Sequence, residues 1–299
     1  MKKIGLFFLL VFCAINGVQA QIIGNTVSTL TSWIIPDEVK SEFHWYVAAG
    51  KTDEAKRLLR RAVSSTVLTN AAVKDNWTPL MAAVTVGNLE MAKFLVANGA
   101  FVNTQTHREL ISPLCIAVKN GDVQMVEFLL NNNAHVDQAC EGQYGTHMHG
   151  TPLEIAIVNG AYPEIVDLLV SHGAWINEKD NQGYTPLMLV AMHTPHKEVL
   201  DKTSIDNYVK SAEILLDAGA EVNIKDDDGA TAAFFALQDQ SKKELAALPM
   251  IKLLIERQGA ILADEIDKDY EGSVIKYVEA NGGNEAQELS HYLQIAEYR

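Results

Sequence analysis

The chain has 299 residues, and its 24 Lys+Arg against 38 Asp+Glu give a formal net charge of −14. Hydrophobic residues make up 48% of it and aromatics only 7%, which is too apolar for a disordered chain. The acidic balance argues against a nucleic-acid binder, which needs a Lys/Arg-rich face, and three cysteines are too few for a disulfide-dense scaffold. The apolar material is mostly Ala, Leu and Val, which suits short, closely packed helices better than a thick globular core.

The N-terminus reads as a targeting signal. Met1-Lys2-Lys3 is a positive leader, Ile4 to Ile15 is apolar and uncharged, and Val18-Gln19-Ala20 places small residues where a signal peptidase cuts. Cleavage is expected after Ala20, and the compact Lys-Lys-led signal looks bacterial. The expected location is the periplasm or beyond. The alternative is lipoprotein processing at Cys13, against which Phe12 stands where that peptidase wants a small residue. The apolar run is short for a membrane span of roughly 20 residues. Without Lys2 and Lys3, 22 cations face 38 anions, a net charge of −16. Residues 21–40 show no repeat and fit either an N-terminal cap or an arm.

From about Ser41 onward the sequence repeats itself. Thr78-Pro79-Leu80, Ser112-Pro113-Leu114, Thr151-Pro152-Leu153 and Thr185-Pro186-Leu187 recur at spacings of 34, 39 and 34 positions. A hydroxyl residue before Pro is a helix N-cap followed by Pro at the first helical position. Leu80, Ala83 and Val84 continue at helical spacing, and Gly87, Gly121 and Gly160 end the first helix of their units. An amphipathic second helix follows and closes at Gly99-Ala100, Gly173-Ala174, Gly219-Ala220 or Gly259-Ala260, with Asn133-Ala134 as a variant.

The six segments are Ser41–Val73 (degenerate, with helices around 46–50 and 55–59), Asp75–Asn103, Ile111–Asp137, Gly150–Asn177, Gly183–Asn223 and Gly229–Ala260. The fifth carries 13 extra residues near His193–Asn207, and the sixth an insertion around Gln238–Leu248. Residues 263–299 lack the pattern and fit a C-terminal cap.

These units resemble ankyrin repeats, whose period is about 33 residues with a Thr-Pro-Leu-His signature. The resemblance covers residues 41–262 and implies an all-α ankyrin-repeat solenoid of about six repeats, with helix-turn-helix units and β-hairpin fingers. The signature His is missing throughout. Met81, Cys115, Glu154 and Met188 stand in its place, and each unit is expected to be slightly weaker for it.

No catalytic constellation is present: there is no phosphate loop, no His-Glu-x-x-His and no Gly-x-Ser-x-Gly, so no enzyme and no cofactor are expected. His147 and His149, near Cys140 and Glu141, are the best metal-like cluster but lack a fourth ligand at metal spacing. An enzyme or metal-dependent protein using the His-rich insertions is the alternative reading. Cys115 and Cys140 are the candidates for a disulfide in an oxidising compartment.

What the resemblance implies instead is a protein partner, bound through the concave face and finger tips, with no nucleic acid and no membrane span after signal removal. In that family the residue before the capping Thr faces the concave side. Here those positions hold Trp77, Ile111, Gly150, Tyr184 and Ala230, of which Trp77, Ile111 and Tyr184 would be anchors. Asp75, Glu109, Asp180, Asp226, Asp227 and Asp228 would form an acidic rim selecting a basic partner. Packing between fingers is the competing role for Trp77 and Tyr184. Exported bacterial members of the family include antagonists of toxins or enzymes as well as proteins that act on a host, and an immunity-like inhibitor suits the charge.

Overall fold

The computed structural model of the protein describes residues 37–62, 65–141, 149–160, 162–193, 202–237 and 248–258. The signal reading, residues 21–36, His147 and the C-terminal cap all lie outside these residues.

The described chain is a run of short helices: α1 (Asp37–Ala48), α2 (Thr52–Arg61), α3 (Ser65–Thr69), α4 (Pro79–Thr85), α5 (Leu89–Ala97), α6 (Pro113–Lys119), α7 (Val123–Asn131), α8 (Pro152–Val158), α9 (Pro163–Ser171), α10 (Pro186–Met192), α11 (Lys202–Asp217), α12 (Ala232–Leu237) and α13 (Leu248–Gln258). One two-residue ladder, β1 (Cys140–Glu141) antiparallel to β2 (His149–Gly150), stands between α7 and α8.

The first helices begin where their caps place them. Thr78, Ser112, Thr151 and Thr185 each accept a hydrogen bond from the backbone N–H three residues on, at 3.2–3.3 Å. Asn88 and Asp122 cap α5 and α7 in the same way. Each cap satisfies a helical donor that would otherwise be left unpaired.

The missing signature His is compensated locally. The Met81 and Met188 sulfurs accept the N–H of Thr78 and Thr185, and the Glu154 carboxylate accepts that of Thr151. Each closes a capping box, so these three units do not lose the local bond that the absent His would be expected to cost them.

The helices form two layers. The first-helix layer runs α1, α4, α6, α8, α10, α12, each packed on the next, and the second-helix layer runs α5, α7, α9, α11, α13. Leu80, Met81, Leu114, Leu153, Leu187 and Met188 are buried in one core with Met91, Leu95, Met125, Leu129 and Ile165. Between α2 and α5, Asn88 Nδ2 donates to Thr52 Oγ1, and Lys56 pairs with Glu90.

Two helices add detail to the sequence reading. The helix α1 takes in residues 37–40, ahead of Ser41 where the sequence reading opens the first unit, and buries Lys40, Phe43, His44 and Val47. The extra residues of the fifth unit do not all form a loop, since α11 starts at Lys202 and runs for 16 residues. Residues 194–201 and 238–247 lie outside the description.

Among the described glycines, Gly183 is the most constrained. Its φ is +85°, and a Cβ there would come within 2.9 Å of the Asp227 side chain and 3.1 Å of the Asp227 backbone N.

Two substitutions test this packing. Leu129→Ala, deep in the second layer, is expected to lower stability by about 2–5 kcal/mol. Gly183→Ala is expected to cost about 1–3 kcal/mol through its left-handed φ and the clash with Asp227. Urea denaturation of each variant checks both.

Candidate functional site

Each finger is a tight backbone turn closed by the residue before the capping Thr or Ser. The closing bonds are Val73 N–H to Trp77 O (2.9 Å), Thr106 to Ile111 (3.1 Å), Asp180 to Tyr184 (2.9 Å) and Asp226 to Ala230 (2.8 Å). Gly150 takes the same place by pairing with Cys140.

Trp77, Ile111 and Tyr184 are thus set in register along the fingers. All three are half-buried and packed against the core rather than fully presented to solvent. Tyr184 also meets Phe235 edge-on at 5.3 Å. Burial pushes its hydroxyl up, and the carboxylates of Asp226, Asp180 and Asp228 push it further.

The acidic residues divide by what they touch. Asp180 Oδ1 accepts the N–H groups of Gln182 and Tyr184, and Asp226 Oδ1 those of Asp228 and Ala230. Both carboxylates staple their own turns. Asp75 ties its finger to the next, accepting Arg108 N–H at its carboxylate and His107 N–H at its carbonyl. Asp227 is exposed and lies 3.8 Å from Lys179, Asp228 is exposed, and Glu109 is half-exposed. Tyr184, Asp180 and Asp226–Asp228 therefore form one group. Trp77, Asp75, Glu109 and Ile111 form another, with the β1–β2 finger between them.

Cys115 and Cys140 are joined as a disulfide, their Cα atoms 6.0 Å apart. The bond fastens β1, the base of the insertion, to the first turn of α6. Of the metal candidates, His147 lies outside the described residues and His149 is described only as strand backbone. Among the described residues no group of three His, Cys, Asp or Glu could hold a metal ion, and no helix is long and apolar enough to cross a membrane.

Glu154 has a chemistry of its own. It is 8% exposed. Burial is the main force lifting its pKa to about 7; Thr151 pulls it down, while Asp180 and Asp137 push it up.

Sequence reasoning missed a second row. Phe101, His135, Trp175 and Glu221 each follow a Gly-Ala or Asn-Ala pair, and all four are exposed, Phe101 by 51% and Trp175 by 57%. Their backbone N–H groups are held by a side chain of the preceding unit: Phe101 by Asn70 (2.7 Å), His135 by Asn103 (2.8 Å), Trp175 by Asp137 (2.9 Å) and Glu221 by Asn177 (2.9 Å). The recurring position after the Ala was the available signal. Trp45, at the end of α1, is a further exposed aromatic, with the Lys51 ammonium 4.4 Å from its ring centroid.

Comparison with known proteins agrees with this architecture. Family models of ankyrin repeats match residues 25–106, 43–140 and 114–202, and one for a single repeat matches 182–227. The proteins named ankyrin repeat and SOCS box protein 6 from Pongo abelii and Homo sapiens are each 30% identical over 146 residues, 48% of this chain and 32% of theirs. The chain thus spans about a third of the length of these curated relatives. Among solved structures, an ankyrin repeat domain from Acinetobacter baumannii AYE superposes with a TM-score of 0.59 at 24% identity, covering 72% of this chain and 97% of its own. A chain from the complex of a predatory endopeptidase with an immunity protein of Bdellovibrio bacteriovorus gives 0.56 at 22%, with the same coverage. At these identities the two structures share the fold.

Two outcomes follow from this geometry. Because the folded state raises the Glu154 pKa, it favours the protonated form. That stabilisation is complete below about pH 4.5 and is lost as pH rises through about 7. Glu154→Gln, which keeps the capping box, is expected to be nearly neutral at acid pH and to raise stability by at most roughly 3 kcal/mol at alkaline pH, read from urea midpoints across that range. Reducing the Cys115–Cys140 bond, which closes a separation of 25 residues, is expected to cost about 3 kcal/mol, while a Cys115→Ala/Cys140→Ala variant should show no response to reductant.

Proposed function

The chain belongs to the ankyrin-repeat family, and from that premise we propose that it is a non-enzymatic, exported scaffold that docks a basic protein on its fingers and first-helix face, as an inhibitor or immunity-like antagonist. That it is a protein-interaction scaffold follows from the fold; export, the face used and the nature of the partner are our reading. The observation that carries it is the arrangement of the fingers. Their backbones are locked by turn bonds and by Asp75, Asp180 and Asp226, so Glu109, Asp227 and Asp228 are left on rigid supports at the rim. Rigid presentation limits the entropy lost on binding, and an acidic rim speeds and selects a basic partner.

Support for export comes from the sequence of residues 1–20 and from the disulfide, which suits an oxidising compartment. The Bdellovibrio neighbour, described as an endopeptidase with its immunity protein, is consistent with an antagonist role. Half-buried Trp77 and Tyr184 act first as supports between fingers, so rim charges rather than these rings give the cleaner test.

The mature chain, tagged and co-purified from the native cell, is expected to retain a protein of high pI. A Glu109→Lys/Asp227→Lys/Asp228→Lys variant is expected to bind it at least about tenfold more weakly, with most of the loss in association rate and with melting unchanged. Recovery of no protein partner, or an unchanged affinity in the triple variant, would overturn the proposal.

A further inference from the structure

Among the described residues, four side chains bridge successive units at the same place. Asn70, Asn103 and Asn177 act through both ends of the amide. Each oxygen accepts the N–H of Phe101, His135 or Glu221, and each nitrogen donates to the carbonyl of Gly99 (2.7 Å), Asn133 (2.8 Å) or Gly219 (3.4 Å). At the central bridge the residue is Asp137. Its Oδ1 accepts the N–H of Trp175 at 2.9 Å, but an ionised carboxylate has no proton to offer Gly173, which stands where Gly99 and Gly219 stand.

We propose that Asp137 is an acid-operated latch between the third and fourth units, whose protonated carboxyl donates to the loop around Gly173 and restores the two-bond bridge that the asparagines make elsewhere. Protonation draws the loop carrying Trp175 onto the unit before it, and loss of the proton leaves this joint the loosest of the four.

The surroundings point the same way. Asp137 is partly buried, and that burial raises its pKa against the opposing pull of the Trp175 N–H. Among the described residues the charged group with which Asp137 interacts is the buried Glu154 of α8, whose ionisation Asp180 of the next finger also opposes. From the following loop it meets Trp175, which carries no charge. Asp137 and Asp180 thus both act on the buried Glu154 beside this joint. This joint adjoins the insertion and the Cys115–Cys140 bond, so the latch sits at the middle of the described stack, where a small change in one angle moves both halves.

The fold favours the protonated form, so tightening is complete below the ordinary aspartate range and is lost as pH rises through the raised value. The sensitive measurement is amide hydrogen exchange of the intact mature chain between about pH 4 and pH 7.5, taken as protection factors so that intrinsic exchange is divided out. The N–H groups of Phe101, His135 and Glu221, held by asparagines, are internal references.

Trp175 is expected to gain at least about threefold in protection relative to those three as pH falls. Asp137→Asn is expected to hold it at the acid level throughout and to raise the melting temperature at neutral pH. Glu154→Gln, which leaves the bridge intact, is expected to keep the response of Trp175 with its midpoint unchanged, because Glu154 is already protonated where Asp137 titrates. If all four amides respond alike, or if the response survives Asp137→Asn, or if it vanishes in Glu154→Gln alone, the latch does not exist.

Discussion

A seven-residue helix does not persist in water by itself, because one or two turns of hydrogen bonds cannot offset the cost of nucleation. Five of the first and second helices here are of that size or smaller: α4, α6, α8, α10 and α12. Each must therefore be held by its neighbours, and the stack is the only arrangement in which every unit finds an apolar surface on both sides. The small residues follow from this constraint. Ala82, Ala83, Ala117, Ala156 and Ala191 are buried in the first-helix layer, where larger side chains would push successive units apart.

The polar bridges act on the same joints that the core closes. Asn70, Asn103, Asp137 and Asn177 reach from one unit to the backbone of the next, and the finger of Asp75 reaches to that of Arg108. Burial alone is non-directional. These bonds fix the setting of one unit on the next, and so place the finger rim and the exposed row of Phe101, His135 and Trp175 along the stack. Where one bridge departs from the common residue, the joint gains a chemistry that its neighbours lack.

Substitution at the signature position shows how loosely chemistry is tied to fold in a repeat. Met81, Met188 and Glu154 differ in polarity, yet each supplies an acceptor to the residue that caps its helix. Cys115, at the fourth such position, instead ties its unit to the insertion through a disulfide. The local requirement is an acceptor or anchor of the right reach, and once it is met the side chain is free to carry something else: polarisable packing in two units, a covalent clamp in a third and a titratable carboxyl in the fourth.

The recurrence of Thr/Ser-Pro-Leu, the loop glycines and the Gly-Ala endings determined the repeat, the helix starts and the fold, because caps, proline and left-handed turns are decided within four or five residues of chain. The same locality made Trp77, Ile111 and Tyr184 legible as a row. That α1 takes in residues ahead of Ser41 was hidden, since Phe43, His44 and Val47 carry no cap signal and their helix is fixed by contact with α4. Only the tertiary structure decided that Asp180 and Asp226 are spent on their own turns, that among the described bridges Asp137 breaks the pattern, that Cys115 and Cys140 meet, and that Glu154 is buried where Asp137 and Asp180 act on it. Each of these depends on groups from 17 to 44 positions apart in the chain, or on which lone pair a neighbouring N–H has already taken, and a one-dimensional pattern holds neither.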